Sequence, residues 1–68
     1  MIRIFINDKE YKINEYGTVA DALDLVTGMS KRGIAVALNN DVLPMSEWNV
    51  RKLNDGDRIT IIKAFYGG

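Results

Sequence analysis

The chain opens on strict alternation. Ile2-Arg3-Ile4-Phe5-Ile6 puts isoleucine at every second position, the period of a strand whose two faces differ. Asn7-Asp8-Lys9 has turn chemistry. Glu10-Tyr11-Lys12-Ile13-Asn14 then alternates again, with Tyr11 and Ile13 as the inward pair. The two stretches predict a β-hairpin that leaves Phe5 as a large aromatic on its outer face. Glu15-Tyr16-Gly17 ends the strand, and the period changes. Val19, Ala22, Leu23 and Val26 fall at i, i+3, i+4 and i+7, one face of a helix running from Val19 to Thr27. Thr18 suits the N-cap, Asp21 favours the positive helix end, and Gly28 supplies the stop. So short a helix is marginal alone in water and must draw stability from packing on a sheet.

After a polar connection, Met29-Ser30-Lys31-Arg32-Gly33, the run Ile34-Ala35-Val36-Ala37-Leu38 alternates large residues with alanines. It predicts a third strand whose alanine face is flat and exposed or closely approached. Asn39-Asn40-Asp41 predicts a turn, and Val42-Leu43 a brief strand ended by Pro44, which donates no ladder hydrogen bond. Ser46 is placed to cap a single turn through Glu47, Trp48 and Asn49, with Trp48 expected as a lid over one end of the core. Asn54-Asp55-Gly56-Asp57 predicts a tight turn with Gly56 in a backbone conformation other residues avoid. The Asp55/Asp57 pair lacks the spacing of a calcium loop. Arg58 to Ala64 predicts the last strand, with Ile59 and Ile61 inward and Thr60 and Ile62 outward.

Hairpin, helix, short β pair and final strand define an α+β domain. The first and last strands, both rich in isoleucine, are the natural central pair under the one helix. That is a β-grasp arrangement: a mixed sheet of four to five strands with a helix packed across one face. The expected core comprises Ile2, Ile4, Ile6, Ile13, Val19, Leu23, Val26, Val36, Leu38, Leu43, Leu53, Ile59 and Ile61.

Composition narrows the function. At 68 residues, the sequence is read as one domain spanning 1–68, too small for a cleft between two lobes. Nine basic and nine acidic side chains give zero net charge, which disfavours nucleic acid as a partner. The absence of cysteine and histidine removes disulfides, thiolate sites, the cysteine nucleophile and the commonest general base and metal ligand. No metal site is expected. No serine has a base beside it, and no glycine loop cradles a phosphate. The chain is therefore not expected to catalyse a reaction by itself. With no signal-like or membrane-spanning run, a cytoplasmic location is the expectation.

The chemistry points to the tail, Phe65-Tyr66-Gly67-Gly68. A Gly-Gly terminus arises by chance in roughly 0.5% of chains, given glycine at about 7% of residues. The last strand would project these residues from the sheet centre. Two glycines tolerate almost any backbone angle and fit a narrow channel; once activated, the unhindered Gly68 carboxylate becomes an acyl donor. Both glycines are expected to be disordered in the free chain and ordered in a partner's active site. Phe5, Ala37, Thr60 and Ile62 are expected to face outward, away from the helix, with Phe5 and Ile62 forming an apolar patch for that partner.

The run Ala35-Val36-Ala37-Leu38-Asn39-Asn40-Asp41-Val42-Leu43-Pro44, then Trp48, then Leu53-Asn54-Asp55-Gly56-Asp57-Arg58-Ile59, then Gly67-Gly68 resembles the thiamine-biosynthesis sulfur carrier (ThiS) family, which is ubiquitin-like. The resemblance covers nearly the whole chain in length and element order. It implies that a ThiF-like activating enzyme uses ATP to adenylate Gly68. The chain itself would bind no cofactor. A persulfide donor, such as a cysteine desulfurase, would convert the adenylate to a thiocarboxylate. A ThiG-like thiazole synthase would accept the sulfur. Phe65 and Tyr66 depart from expectation: the partner's tunnel must accept two aromatics, or they act as a plug at its mouth. Three alternatives stay open: a molybdopterin-synthase small subunit, another ubiquitin-like sulfur carrier or modifier, and an interaction domain whose tail has no chemistry.

Overall fold

A computed structural model describes residues 1–26 and 33–63. Its elements run β1 (Ile2–Ile6), β2 (Lys9–Ile13), α1 (Val19–Val26), β3 (Ile34–Leu38), β4 (Asp41–Leu43), a 3₁₀ turn (Met45–Glu47) and β5 (Arg58–Lys63). The five strands form one mixed sheet in the order β2-β1-β5-β3-β4. β5 is central, parallel to β1 and antiparallel to β3. The expected central pairing of first and last strands is present. Because β2 lies on one edge and β3 beyond the centre, the chain between them crosses the sheet, and α1 covers one face.

Both hairpins turn in two residues. Asn7 and Asp8 have φ of 49° and 70°, and Asn39 and Asn40 have φ of 50° and 75°. Left-handed backbone at both central positions matches the twist of flanking strands, and asparagine and aspartate tolerate it best after glycine. The turns are one residue tighter than expected. Lys9 and Asp41 belong to strands, paired with Ile6 and Leu38.

The core is formed by Ile4, Ile6, Ile13, Val19, Ala20, Ala22, Leu23, Val36, Leu38, Leu43, Trp48, Leu53 and Ile59, with Ile2, Tyr11, Ile34 and Ile61 partly buried against it. Val26, expected inside, is 39% exposed. The reason lies at the other end of the helix. Val19 N–H donates to the Arg51 carbonyl at 3.0 Å, Ala20 N–H to that of Trp48 at 2.9 Å, and Leu53 N–H to that of Gly17 at 3.0 Å. These bonds fasten the first turn of α1 to the 48–53 segment, so burial concentrates at Val19, Ala20, Ala22 and Leu23. Thr18 and Asp21 complete the N-terminus reciprocally: Asp21 Oδ2 accepts from Thr18 N–H at 2.9 Å, and Thr18 Oγ1 accepts from Asp21 N–H at 3.4 Å.

Ser46 is not the cap of the short turn. Pro44 holds that position with no side-chain hydrogen bond. Trp48 lies deeper than a lid, 4% exposed among the core residues. The expected helix end at Thr27 and Gly28 and the basic pair Lys31 and Arg32 lie outside the described residues.

Candidate functional site

β5 carries the chain toward the tail, and three sets of contacts fix it. At its start, the Asp57 carboxylate accepts from Asn54 N–H at 2.7 Å and from the Asn39 side-chain amide at 3.0 Å. The Asn39 oxygen in turn accepts from Arg58 N–H at 2.9 Å. Asp55 accepts from Arg3 N–H at 2.8 Å, while Gly56, at φ +88°, donates to the Arg3 carbonyl. Both aspartates therefore hold backbone, Asp57 of the loop and Asp55 of β1. Among the described residues, no cluster of acidic, histidine or cysteine side chains could hold a metal ion.

Further along, β5 passes the end of β1. Phe5 pairs with Arg58 and Ile6 with Ile59. Beyond that point the Asn7 carboxamide takes over, accepting from Ile61 N–H at 2.8 Å and donating to the Ile61 carbonyl at 3.3 Å. On the other side β5 pairs with the whole of β3, from Leu38↔Ile59 to Ile34↔Lys63. Phe65, Tyr66, Gly67 and Gly68, the residues expected to enter a partner, lie outside the described residues.

Phe5, Ala37, Thr60 and Ile62 share the face away from α1, because Phe5 pairs with Arg58 and Ala37 with Thr60, and alternate residues of one strand share a face. Phe5 and Ile62 do not form one patch. The register sets Phe5 opposite Arg58, four residues before Ile62, about 13 Å along a strand. The Arg58 guanidinium lies 4.7 Å from the Phe5 ring centroid and 3.5 Å from the Asp8 carboxylate. Phe5 is thus half-buried under a cation, and it borders an open cleft of about 480 Å³ whose other walls include Asn7, Asp8, Asn39 and Thr60. That size matches a ligand pocket, but the lining is mostly polar, unlike the apolar walls such pockets need.

The apolar part of this face lies on the other side of β5. Ile62 pairs with Ala35, and Ala37 pairs with both Thr60 and Val42. Ile62 is 59% exposed and Val42 79% exposed, on either side of the two alanines. Val42 is the member that sequence reasoning missed. Its signal was the step from Val42 to the core residue Leu43, since neighbours in a strand face opposite ways.

A central last strand and a helix across one face of a mixed five-stranded sheet define a ubiquitin-like β-grasp protein. The ThiS family profile matches residues 2–68, and the chain belongs to that family. Two solved structures share the fold. A thiamine biosynthesis protein (ThiS) from Geobacter metallireducens is 23% identical, with a TM-score of 0.78, covering 98% of this chain and 99% of that one. SAMP1 from Haloferax volcanii is 15% identical, with a TM-score of 0.68 and 98% of each chain covered. Among curated protein sequences, none matches significantly.

Proposed function

We propose that this protein is a sulfur carrier whose Gly68 carboxylate is the chemical handle. The observation that carries the reading is ThiS family membership over residues 2–68, a match that includes the terminal Gly67-Gly68. The central position of β5 supports it, because a strand held on both sides gives the tail a rigid base.

The chemistry runs in three steps. A Gly68 carboxylate oxygen attacks the α-phosphorus of ATP in a partner enzyme, and pyrophosphate leaves. The terminal sulfur of a persulfide then attacks the acyl carbon and AMP leaves. A thiol cleaves the resulting acyl disulfide, releasing the thiocarboxylate and a new disulfide. The chain contributes the acyl group and a docking face, and the partner enzymes supply the catalytic side chains. The partners are an ATP-dependent activating enzyme, a persulfide donor and a thiazole synthase that consumes the sulfur in thiamine biosynthesis, in the cytoplasm. The docking face is Ile62, Ala37 and Thr60, widened to Val42, with Phe5 and its Arg58 cover as a separate contact.

The deciding experiment mixes the chain with ATP, its activating enzyme and a sulfur donor, and then takes the intact mass. Replacement of one oxygen by sulfur at Gly68 is the expected product. A chain that yields neither adenylate nor thiocarboxylate refutes the carrier reading in favour of a plain interaction domain.

A further inference from the structure

β1 stops at Ile6, yet β5 continues to Lys63. On that side the ladder is prolonged by a side chain. Asn7 N–H donates to the Ile59 carbonyl at 2.9 Å, and then the Asn7 carboxamide, an amide like the backbone it replaces, makes both an N–H and a C=O contact to Ile61. Asn7 is held for this by the turn: its φ of 49° is set by the two-residue connection to β2. A side chain of this reach on a fixed turn reproduces one more residue of parallel pairing where the backbone has already turned away.

We propose that Asn7 is a positioning residue for tail chemistry, fixing the direction in which β5 leaves the sheet; this rests on the carrier reading. How firmly the last residues of a strand are held on each side sets the range of angles at which everything after them projects. With Ile61 held on the β1 side by Asn7 and Val36 opposite it on β3, only Ile62 and Lys63 rest on β3 alone, and the range of angles is narrow. Released from Asn7, β5 beyond Ile59 would be held from the β3 side alone, and the tail would sample a cone of directions. A partner binding the tail end-on would then select one direction from many, and the cost would appear in the apparent affinity.

Asn39 offers the comparison. It also sits at positive φ in a two-residue turn and also holds β5 through its carboxamide, but at Arg58, where the strand begins. Asn7→Gly and Asn39→Gly each keep the turn, since glycine accepts that backbone freely, and each removes one clamp. Asn7→Asp keeps the acceptor for Ile61 N–H and turns the donor into an oxygen facing a carbonyl.

The test uses the full chain with its activating enzyme, read by ATP–pyrophosphate exchange, alongside amide hydrogen exchange of the free chain. Two lost hydrogen bonds predict an increase of about tenfold in both Ile61 amide exchange and KM for Asn7→Gly, with kcat unchanged. Asn7→Asp should raise KM at least severalfold, and Asn39→Gly should leave it unchanged while core amides such as Leu23 keep their protection. Faster Ile61 exchange with an unaltered KM would make Asn7 purely structural and overturn the proposal, as would equal KM increases for the Asn7 and Asn39 variants. A wild-type chain that is never activated refutes the carrier reading, and the positioning role falls with it.

Discussion

The Trp48 indole N–H donates to the Leu43 carbonyl at 3.1 Å, in a site where both residues are buried. One side chain thus fills the end of the core and satisfies a backbone acceptor of β4. Trp48→Phe removes one of the two fused rings and leaves that carbonyl without its partner. The expected loss is about 1–3 kcal/mol. Since Trp48 is the sole tryptophan, circular dichroism during urea unfolding is the measurement. A lower midpoint with an unchanged m-value marks a loss of stability alone.

Leu23, on α1, is fully buried in the core. Leu23→Ala should cost about 2–5 kcal/mol, a large share of the 5–15 kcal/mol typical of a domain. Thermal unfolding would show a clear drop in Tm. A change below 1 kcal/mol would contradict the packing of α1 described above.

Two glycines are required for different reasons. At Gly17 an added Cβ would meet Ile13 Cδ1 at 2.8 Å and the Asn14 carbonyl oxygen at 3.0 Å. At Gly56 nothing lies within 4 Å, but φ is +88°. Gly17→Ala should cost about 1–3 kcal/mol through crowding, and Gly56→Ala about the same through backbone strain. Gly56→Asn should recover part of the second loss, because asparagine visits left-handed backbone. Asparagine at Gly17, larger than alanine, should recover nothing. Denaturation midpoints of the four variants check the distinction.

Ile62 and Val42 stand exposed on either side of a floor of alanines. Ile62→Asp and Val42→Asp should leave the Tm within about 2 °C, because exposed substitutions change stability little. Each should weaken binding to the activating enzyme about tenfold or more, as loss of a desolvated anchor does. Titration calorimetry provides the measurement. Unchanged affinity in both variants would remove this face from the docking surface.

At the tail, Gly67→Val and a one-residue extension after Gly68 should both abolish adenylation without changing the Tm. The first crowds a close backbone approach, and the second moves the carboxylate away from the ATP phosphate. Intact mass after incubation with ATP and the activating enzyme reports both. An extended chain modified as well as the wild type would show that the terminus is not the acyl group.

Much of the fold is a property of residue order alone. Alternating isoleucines along Ile2–Ile6 and large residues alternating with alanine along Ile34–Leu38 state which side of each strand is apolar, and the Val19/Ala22/Leu23 spacing states which side of the helix is. Burial follows those local periods because one face of each element must leave water. The turn positions were legible for a similar reason: asparagine, aspartate and glycine stand where left-handed backbone is needed.

Register and clamping were decided by the tertiary structure. Periodicity puts Phe5 and Ile62 on one face but cannot give the offset between β1 and β5, which places Phe5 beneath Arg58 and Ile62 beside Ala35. That offset depends on where the two-residue turn ends β1 and where the Asp55-Gly56-Asp57 loop starts β5, two constraints more than 40 residues apart in sequence. Val26 fits its stripe yet stays partly exposed, because distant backbone bonds from Arg51 and Trp48 pull burial toward the start of the helix. Asn7 reads as an ordinary turn residue until folding brings Ile61 within reach of its carboxamide, since only a long-range contact gives a turn side chain a second role.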